Sequence, residues 1–160
     1  MAEETAAAER IQAKLRLHTQ FLQDLSFESP RGAASVAAAA DSKPEVEVNL
    51  NIDSRQLQEA FYEVAVRITV NATREEEPWF LVELDYRGVF SLADVDDQAR
   101  APMLLIEGPR MLFPFARRII ADVVRDGGFP PLLMEPVDFV GLYRQHALAR
   151  QEQDRETEND

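Results

Sequence analysis

The residues of this 160-residue chain best suited to chemistry are its acids and its two histidines, and neither set assembles a catalytic or metal-binding pattern. His18 and His146 lie far apart. Neither has a His or a carboxylate at metal-ligand helical spacing, so both read as ordinary surface or boundary residues. Asp94, Asp96 and Asp97 begin like a calcium loop. Such a loop requires glycine at its sixth position and glutamate at its twelfth, where this chain has Ala99 and Leu105, so a solvated turn is expected instead. The nucleophile-elbow, phosphate-cradling and dinucleotide glycine motifs are all absent. With no cysteine, the chain cannot supply a disulfide, a zinc thiolate or a thiol nucleophile. No cofactor and no metal are expected, and the chain does not read as an enzyme.

What remains is the chemistry of surfaces. In Phe129-Pro130-Pro131-Leu132-Leu133-Met134, two prolines forbid helix and leave an extended backbone lined with large apolar side chains. Such a segment either folds over one end of the core or walls a groove where foreign apolar side chains dock. A second surface is acidic. Asp24 and Glu28, four apart in an expected strand, project to one side, and Leu81 shares a side with Glu83. Leu81 among acids is either a harmless exposed leucine or the apolar anchor of a docking patch with a charged rim.

The charge balance favours that kind of function. Seventeen Lys and Arg against 29 Asp and Glu give a formal charge of −12. Duplex nucleic acid and anionic lipid both require clustered cations, so basic or unfolded polypeptides are the better partners. No apolar run approaches the ~18 residues of a membrane span, and acids stand near the start where a secretory signal would carry Lys or Arg. A soluble, cytoplasmic protein without direct membrane insertion is expected. The length suits one domain, and 46% apolar residues with nine Phe provide for a core.

The elements that must position these surfaces follow from periodicity. Two-residue alternation marks strands at 45–53, where Val46, Val48, Leu50 and Ile52 oppose polar neighbours, at 62–72, and at 80–86, where Phe80, Val82, Leu84 and Tyr86 oppose Leu81, Glu83 and Asp85. An earlier strand over 19–28 puts Phe21, Leu25 and Phe27 on one parity and Leu22, Asp24, Ser26 and Glu28 on the other. Between them, 30–44 reads as a loop crossing the sheet, with room for a short Ala helix. After Asp97 the period lengthens to helical. Met111 to Arg125 has a broad apolar face, and Pro114 implies either a start near Phe113 or a kink in a helix from Gln98; Gly127 and Gly128 then end the run. A second helix follows Asp138, an N-cap, to about Gln151. The expected class is α+β: a four-stranded antiparallel sheet, a long crossover loop after the first strand, and two C-terminal helices packed on one face. The division is a flexible N-terminal tail over 1–16, a folded domain over 17–151 and an acidic disordered tail over 152–160.

Several of these segments together resemble a known family. Asp24-Leu25-Ser26-Phe27-Glu28-Ser29-Pro30, Tyr62 to Val70, Leu112-Phe113-Pro114-Phe115-Ala116-Arg117, and Gly128-Phe129-Pro130-Pro131-Leu132 through Pro136-Val137-Asp138-Phe139 are similar to SecB, the bacterial protein-export chaperone. The resemblance spans about Thr19 to Gln151. It departs at the crossover, where a family Trp near the position of Ser42 gives way to a run of Ala.

The resemblance implies an ATP-independent holdase that keeps precursor proteins unfolded and hands them to the SecA motor for export across the inner membrane. It implies a homotetramer built as a dimer of dimers, with unfolded preproteins and the zinc-bearing SecA C-terminal tail as partners and no role for nucleic acid. The SecA-binding surface maps onto Asp24, Glu28, Leu81 and Glu83. The client groove maps onto Phe113, Phe115, Phe129, Pro130, Phe139 and Tyr143. The oligomer interface maps onto Val82, Leu84 and Tyr86 with the first long helix. Two rival classes stand beside this one. A SecB-like chaperone dedicated to a toxin–antitoxin pair would use the same groove for one client, and a small α+β ligand-binding domain would use it for a metabolite.

Overall fold

Antiparallel pairing organises the chain. The computed structural model describes residues 1–158, apart from the side chains at 8 and 10–13 in the first helix. Strands β1 (Leu15–Glu28), β2 (Glu45–Gln58), β3 (Phe61–Arg74) and β4 (Glu77–Leu92) form one four-stranded sheet in the order β1-β4-β3-β2. β2, β3 and β4 run as a meander, so the crossover from β1 carries the chain to the opposite edge. Helix α1 (Ala2–Lys14) precedes the sheet and the short α2 (Ala33–Ala38) sits within the crossover, where the Ala run allowed one.

The expected alternation holds in β3 and β4. Val64, Val66, Ile68 and Val70 pair with Gly88, Tyr86, Leu84 and Val82, and all of these are buried on one face. In β1 the parity is different. His18 and Gln23 are extra residues in the pairing with β4, and each such bulge reverses the side to which the following residues point. Phe21 therefore pairs with Arg87 on the opposite face from Leu25 and Phe27, which pair with Leu84 and Val82. The bulge at His18 also breaks the pattern of Leu15 and Leu17, so the strand begins earlier than its alternation suggests.

Helices cover the face that Val64, Leu84 and Phe90 share. The helical run starts at Asp97 as α3 (Asp97–Pro102), passes through a π-helical turn (Met103–Glu107) and continues as α4 (Gly108–Asp126). Pro102 and Pro109 bracket that turn. Their missing N–H groups leave the carbonyls of Gln98 and Leu105 without α-helical partners, which favours a widened turn there. Pro114 lies within α4, so the earlier start is the one adopted and the irregularity falls ahead of it. Leu112, Ala116, Ile120 and Val124 of α4 are fully buried. Gly88 lets α4 approach closely, because a Cβ there would lie 2.8 Å from Leu112 Cδ2.

At the far end, Gly128 turns the chain with φ +93°, a conformation that favours glycine. Residues 129–138 run without regular structure, and Asp138 then caps α5 (Phe139–Glu158) by accepting from the Gly141 N–H at 3.1 Å. Phe139 packs edge-on against Phe113, 5.7 Å between ring centres, which ties α5 to α4. Where a solvated tail is expected, residues 152–158 extend α5 with every side chain exposed; 159 and 160 lie outside the described residues. Residues 2–14 of the expected N-terminal tail are α1.

The residues expected at an oligomer interface lie within the core of this chain. Val82, Leu84 and Tyr86, assigned to an oligomer interface, are 0, 3 and 7% exposed on the helix-covered face, and burial pushes the Tyr86 phenol up from its ordinary value. This chain's own core already occupies those side chains. A second copy would meet the layer above them or the opposite face of β4.

Candidate functional site

Two surfaces of the sheet are left available, one apolar and one charged. The apolar surface exists because the helices cover β3 and β4 more completely than the edge strand β2. Val46 and Val48, on the helix side of β2, are each 40% exposed, although they pair with the buried Ala72 and Val70. Opposite them runs the proline-rich segment, with Leu132 half-buried, Leu133 69% exposed and Met134 buried. Two hollows open between these walls, of about 700 Å³ and 790 Å³, and both are lined by Val46 and Leu132. They form one trough.

The floor of its first part is aromatic. Trp79 is an extra residue where β4 pairs with the end of β3, and it is buried along with its neighbour Phe80. Phe129 packs on both, with ring centres 6.0 Å from Trp79 and 4.9 Å from Phe80. Ala39, Ala40, Ser42 and Pro44 of the crossover form the facing wall. The small crossover side chains thus stand beside an indole supplied by another strand. Trp79 falls outside the alternation expected from Phe80 to Tyr86, because a bulge leaves no trace in that pattern.

The six residues assigned to the client groove do not lie together. Phe129 and Pro130 line the trough. Phe113 and Phe139 are buried against each other beside a smaller cleft of about 260 Å³. Tyr143 lines a separate cleft of about 390 Å³ with His146 and Arg150, while Phe115 is exposed on α4. Trp79, Phe80, Val46 and Val48 also build the trough and lie outside that set, and Leu132 comes from the proline-rich segment expected to wall a groove.

The charged surface is the sheet face without helices. Glu28 pairs with Leu81, Ser26 with Glu83 and Asp24 with Asp85, so Asp24, Glu28, Leu81 and Glu83 are brought together on one side of the β1–β4 pair. Those three acids are exposed, and Leu81 is half-buried among them. The bulge at Gln23 keeps Asp24 on this side.

Beside this strip lies a network of ion pairs. Arg87 donates to both oxygens of Asp85, at 2.9 and 2.8 Å, and to Glu63 at 2.7 Å. Arg55 donates to Glu63 at 3.0 Å, and Arg67 reaches Asp85 at 3.3 Å and Asp53 at 3.7 Å. Burial at Glu63, which is 7% exposed, would raise its carboxyl, but hydrogen bonds from Arg55 and Arg87 outweigh this and hold it below the ordinary 4.5. The Arg87 hydrogen bond holds Asp85 below its ordinary 3.8, and both acids push the Arg87 guanidinium up.

Elsewhere, His18 approaches the Ser91 hydroxyl at 2.6 Å and packs on Phe61. Asp96 accepts from the Ala99 N–H as the cap of α3, which gives the acidic turn a structural role. Among the described residues no group of three or more His, Cys, Asp or Glu is placed to hold a metal ion, and no helix is long and apolar enough to cross a membrane.

Comparison with known proteins places this arrangement. Residues 8–150 match the model of a family described as preprotein translocase subunit SecB. The protein-export protein SecB of Parvibaculum lavamentivorans is 47% identical over 132 residues, 82% of this chain and 78% of its own length. That of Maricaulis maris is 44% identical over 147 residues, 92% of this chain and 84% of the relative. That of Afipia carboxidovorans is 40% identical over 159 residues, 98% of each. Among solved structures, a SecB-like chaperone of Mycobacterium tuberculosis, in complex with a ChAD peptide from an antitoxin, superposes with a TM-score of 0.62 at 12% identity, covering 83% of this chain and 97% of that one. At that identity the likeness concerns the fold.

Proposed function

This chain belongs to the SecB family of protein-export chaperones, and from that premise we propose that it is an ATP-independent cytoplasmic holdase that keeps precursor proteins unfolded in its apolar trough and passes them to the SecA motor. The observation that carries this reading is the uncovered helix side of β2, where Val46 and Val48 face Leu132 and Leu133 across open space. Burying one client Leu or Phe there yields about 1.5–3 kcal/mol, enough to hold a chain reversibly when several side chains act together. Extended clients suit a trough of this kind because it recognises apolar side chains and main chain, so many sequences are admitted.

The charged strip serves the second half of the task. Asp24, Glu28 and Glu83 around Leu81 present carboxylates with an apolar anchor to a basic segment, which fits the zinc-bearing tail of SecA. Its zinc belongs to the motor, since this chain has no thiolate to offer. A homotetramer, arranged as a dimer of dimers, is part of the reading. It multiplies troughs along one client and raises avidity through effective concentration. The residues proposed for the client surface are Phe129 and Pro130 with Trp79, Phe80, Val46 and Val48; Phe115 and Tyr143 offer separate contacts on α4 and α5, with Phe113 and Phe139 packed against each other between those helices. A dedicated toxin–antitoxin role has less support, because it gives the acid strip nothing to do.

The test is a light-scattering assay of an unfolded precursor without nucleotide. Equimolar tetramer is expected to suppress aggregation, and an unchanged aggregation trace would sink the proposal. In parallel, Glu83→Lys is expected to weaken binding of the zinc-loaded SecA peptide by about tenfold, roughly 1.4 kcal/mol, while aggregation is still suppressed. Loss of both activities would count against the division of labour between the two surfaces.

A further inference from the structure

The open sheet face is not uniformly acidic. It carries Arg67 and Arg87 close to the strip that the proposed motor docking uses, and Arg55 farther off on β2; each is engaged by Glu63, Asp85 or Asp53. Among the described residues, Asp24, Glu28 and Glu83 have no ion-pair partner, even though cations are near. Arg67 stands directly opposite Asp85, and Glu83 is two residues further along the same strand on the same face. Arg87 pairs across β1 with Phe21, and Asp24 pairs with Asp85 beside it. Diagonal neighbours of this kind lie about 7–8 Å apart, within reach of an arginine side chain. Left to themselves, the two guanidinium groups would settle on the strip and neutralise it.

We propose that Asp85 and Glu63 are positioning residues that hold Arg67 and Arg87 in place, so that Asp24 and Glu83 stay unpaired and open to a cationic partner. The usefulness of that arrangement rests on the docking reading above; the placement of the arginines does not. Three features argue for a built device over incidental pairing. Asp85 takes Arg87 in a two-point clamp, which fixes the guanidinium plane and leaves it little freedom to swing. Glu63 is 7% exposed and accepts from two arginines at once, so Arg87 is held from both sides. Asp85 lies directly opposite Asp24, an arrangement of like charges that normally destabilises a strand pair. It is tolerated here because the arginines neutralise Asp85 and leave Asp24 its charge.

The test uses the full-length chain in two arms. The first requires no partner. The Nε–H resonance of Arg67 is followed by NMR in the unaltered chain, in Asp85→Asn, and in each background with Glu83→Gln added. Asparagine keeps the shape of aspartate, which protects the fold. With Asp85 present, Glu83→Gln is expected to leave the Arg67 signal in place. In the Asp85→Asn background the same change is expected to shift it, because Arg67 has turned to Glu83. An Arg67 signal that ignores Glu83 in both backgrounds overturns the proposal.

The second arm measures affinity for the zinc-loaded SecA C-terminal peptide. An exposed ion pair is worth up to about fivefold in an equilibrium constant, so Asp85→Asn is expected to weaken binding by about that factor. Glu47→Gln removes the same charge from an exposed position on the open side of β2, away from the arginines. It is expected to change binding by less than about twofold, since only screened, longer-range attraction is lost. Equal losses in the two variants would reduce Asp85 to one more negative charge and overturn the proposal. Failure of the peptide to bind the unaltered chain would instead overturn the docking reading, and the NMR arm then decides where the arginines go.

Discussion

The two faces of this sheet are built from the same strands, residue by residue in alternation, yet they are held in different ways. On one face Val64, Val66, Ile68, Val82 and Phe90 are sealed beneath α4, and stability there comes from apolar area removed from water. On the other, no helix among the described residues covers the strands, and Glu63, Asp85, Arg55, Arg67 and Arg87 lie across the surface as a lattice of charge-assisted hydrogen bonds. The contrast shows how one sheet can bury one face and leave the other charged. The dry face carries the fold and leaves a margin at β2 uncovered, and the charged face keeps Asp24, Glu28 and Glu83 exposed.

Substitutions on each side sharpen or break that contrast. The largest effect is expected from Ile120→Ala in α4, a fully buried side chain whose removal should cost about 2–5 kcal/mol in urea denaturation. Leu81→Ala on the open face should change stability by less than about 0.5 kcal/mol. Comparable losses would mean that the open face is also core. Next comes Glu63→Gln, which leaves Arg87 and Arg55 short of an anionic partner and should cost about 1–3 kcal/mol at neutral pH.

The same variant has a signature in acid. Glu63 and Asp85 sit below their ordinary values of 4.5 and 3.8 in the folded chain, so the unfolded chain binds more protons as pH falls. Their stabilisation is complete above about pH 4.5 and drains away as pH drops through the folded values. Glu63→Gln should therefore flatten the acid limb of the stability profile. An unchanged limb would show that other carboxylates govern acid unfolding.

The smallest effect on the fold is expected from Leu133→Asp, at an exposed position in the proline-rich wall of the trough. Stability should move by less than about 0.5 kcal/mol. Affinity for an unfolded client, measured by calorimetry, should fall by about tenfold, roughly 1.4 kcal/mol, as an apolar contact becomes a charge. A client affinity indifferent to Leu133 would move the holding surface elsewhere.

Much of the architecture was readable from periodicity, because a strand with one dry face must alternate and a helix over that face must repeat near 3.6. The strands centred on Val48, Val66 and Leu84, the cap at Asp138 and the turn at Gly128 all follow from local rules. The acid strip was readable in part. Asp24 and Glu28 share a parity in β1, and Leu81 and Glu83 share one in β4, but nothing local says that the two pairs are adjacent. Phe21 was misplaced because the bulge at Gln23 shifts the pattern without marking it. Val82, Leu84 and Tyr86 read as interface and proved to be core, since alternation reports that a residue is apolar and not which copy of the chain covers it.

The order of residues in this chain determined its class of fold, its acidity, its lack of thiol chemistry, and, through several spaced motifs, its family. Only the tertiary structure decided that Trp79 floors the trough, that β2 is left uncovered at Val46 and Val48, and that Asp85 and Glu63 pair with the arginines beside the acid strip. The physical reason is range. Periodicity and capping are set by neighbours within a turn or two of chain, whereas register, bulge and cover are fixed by partners tens of residues away.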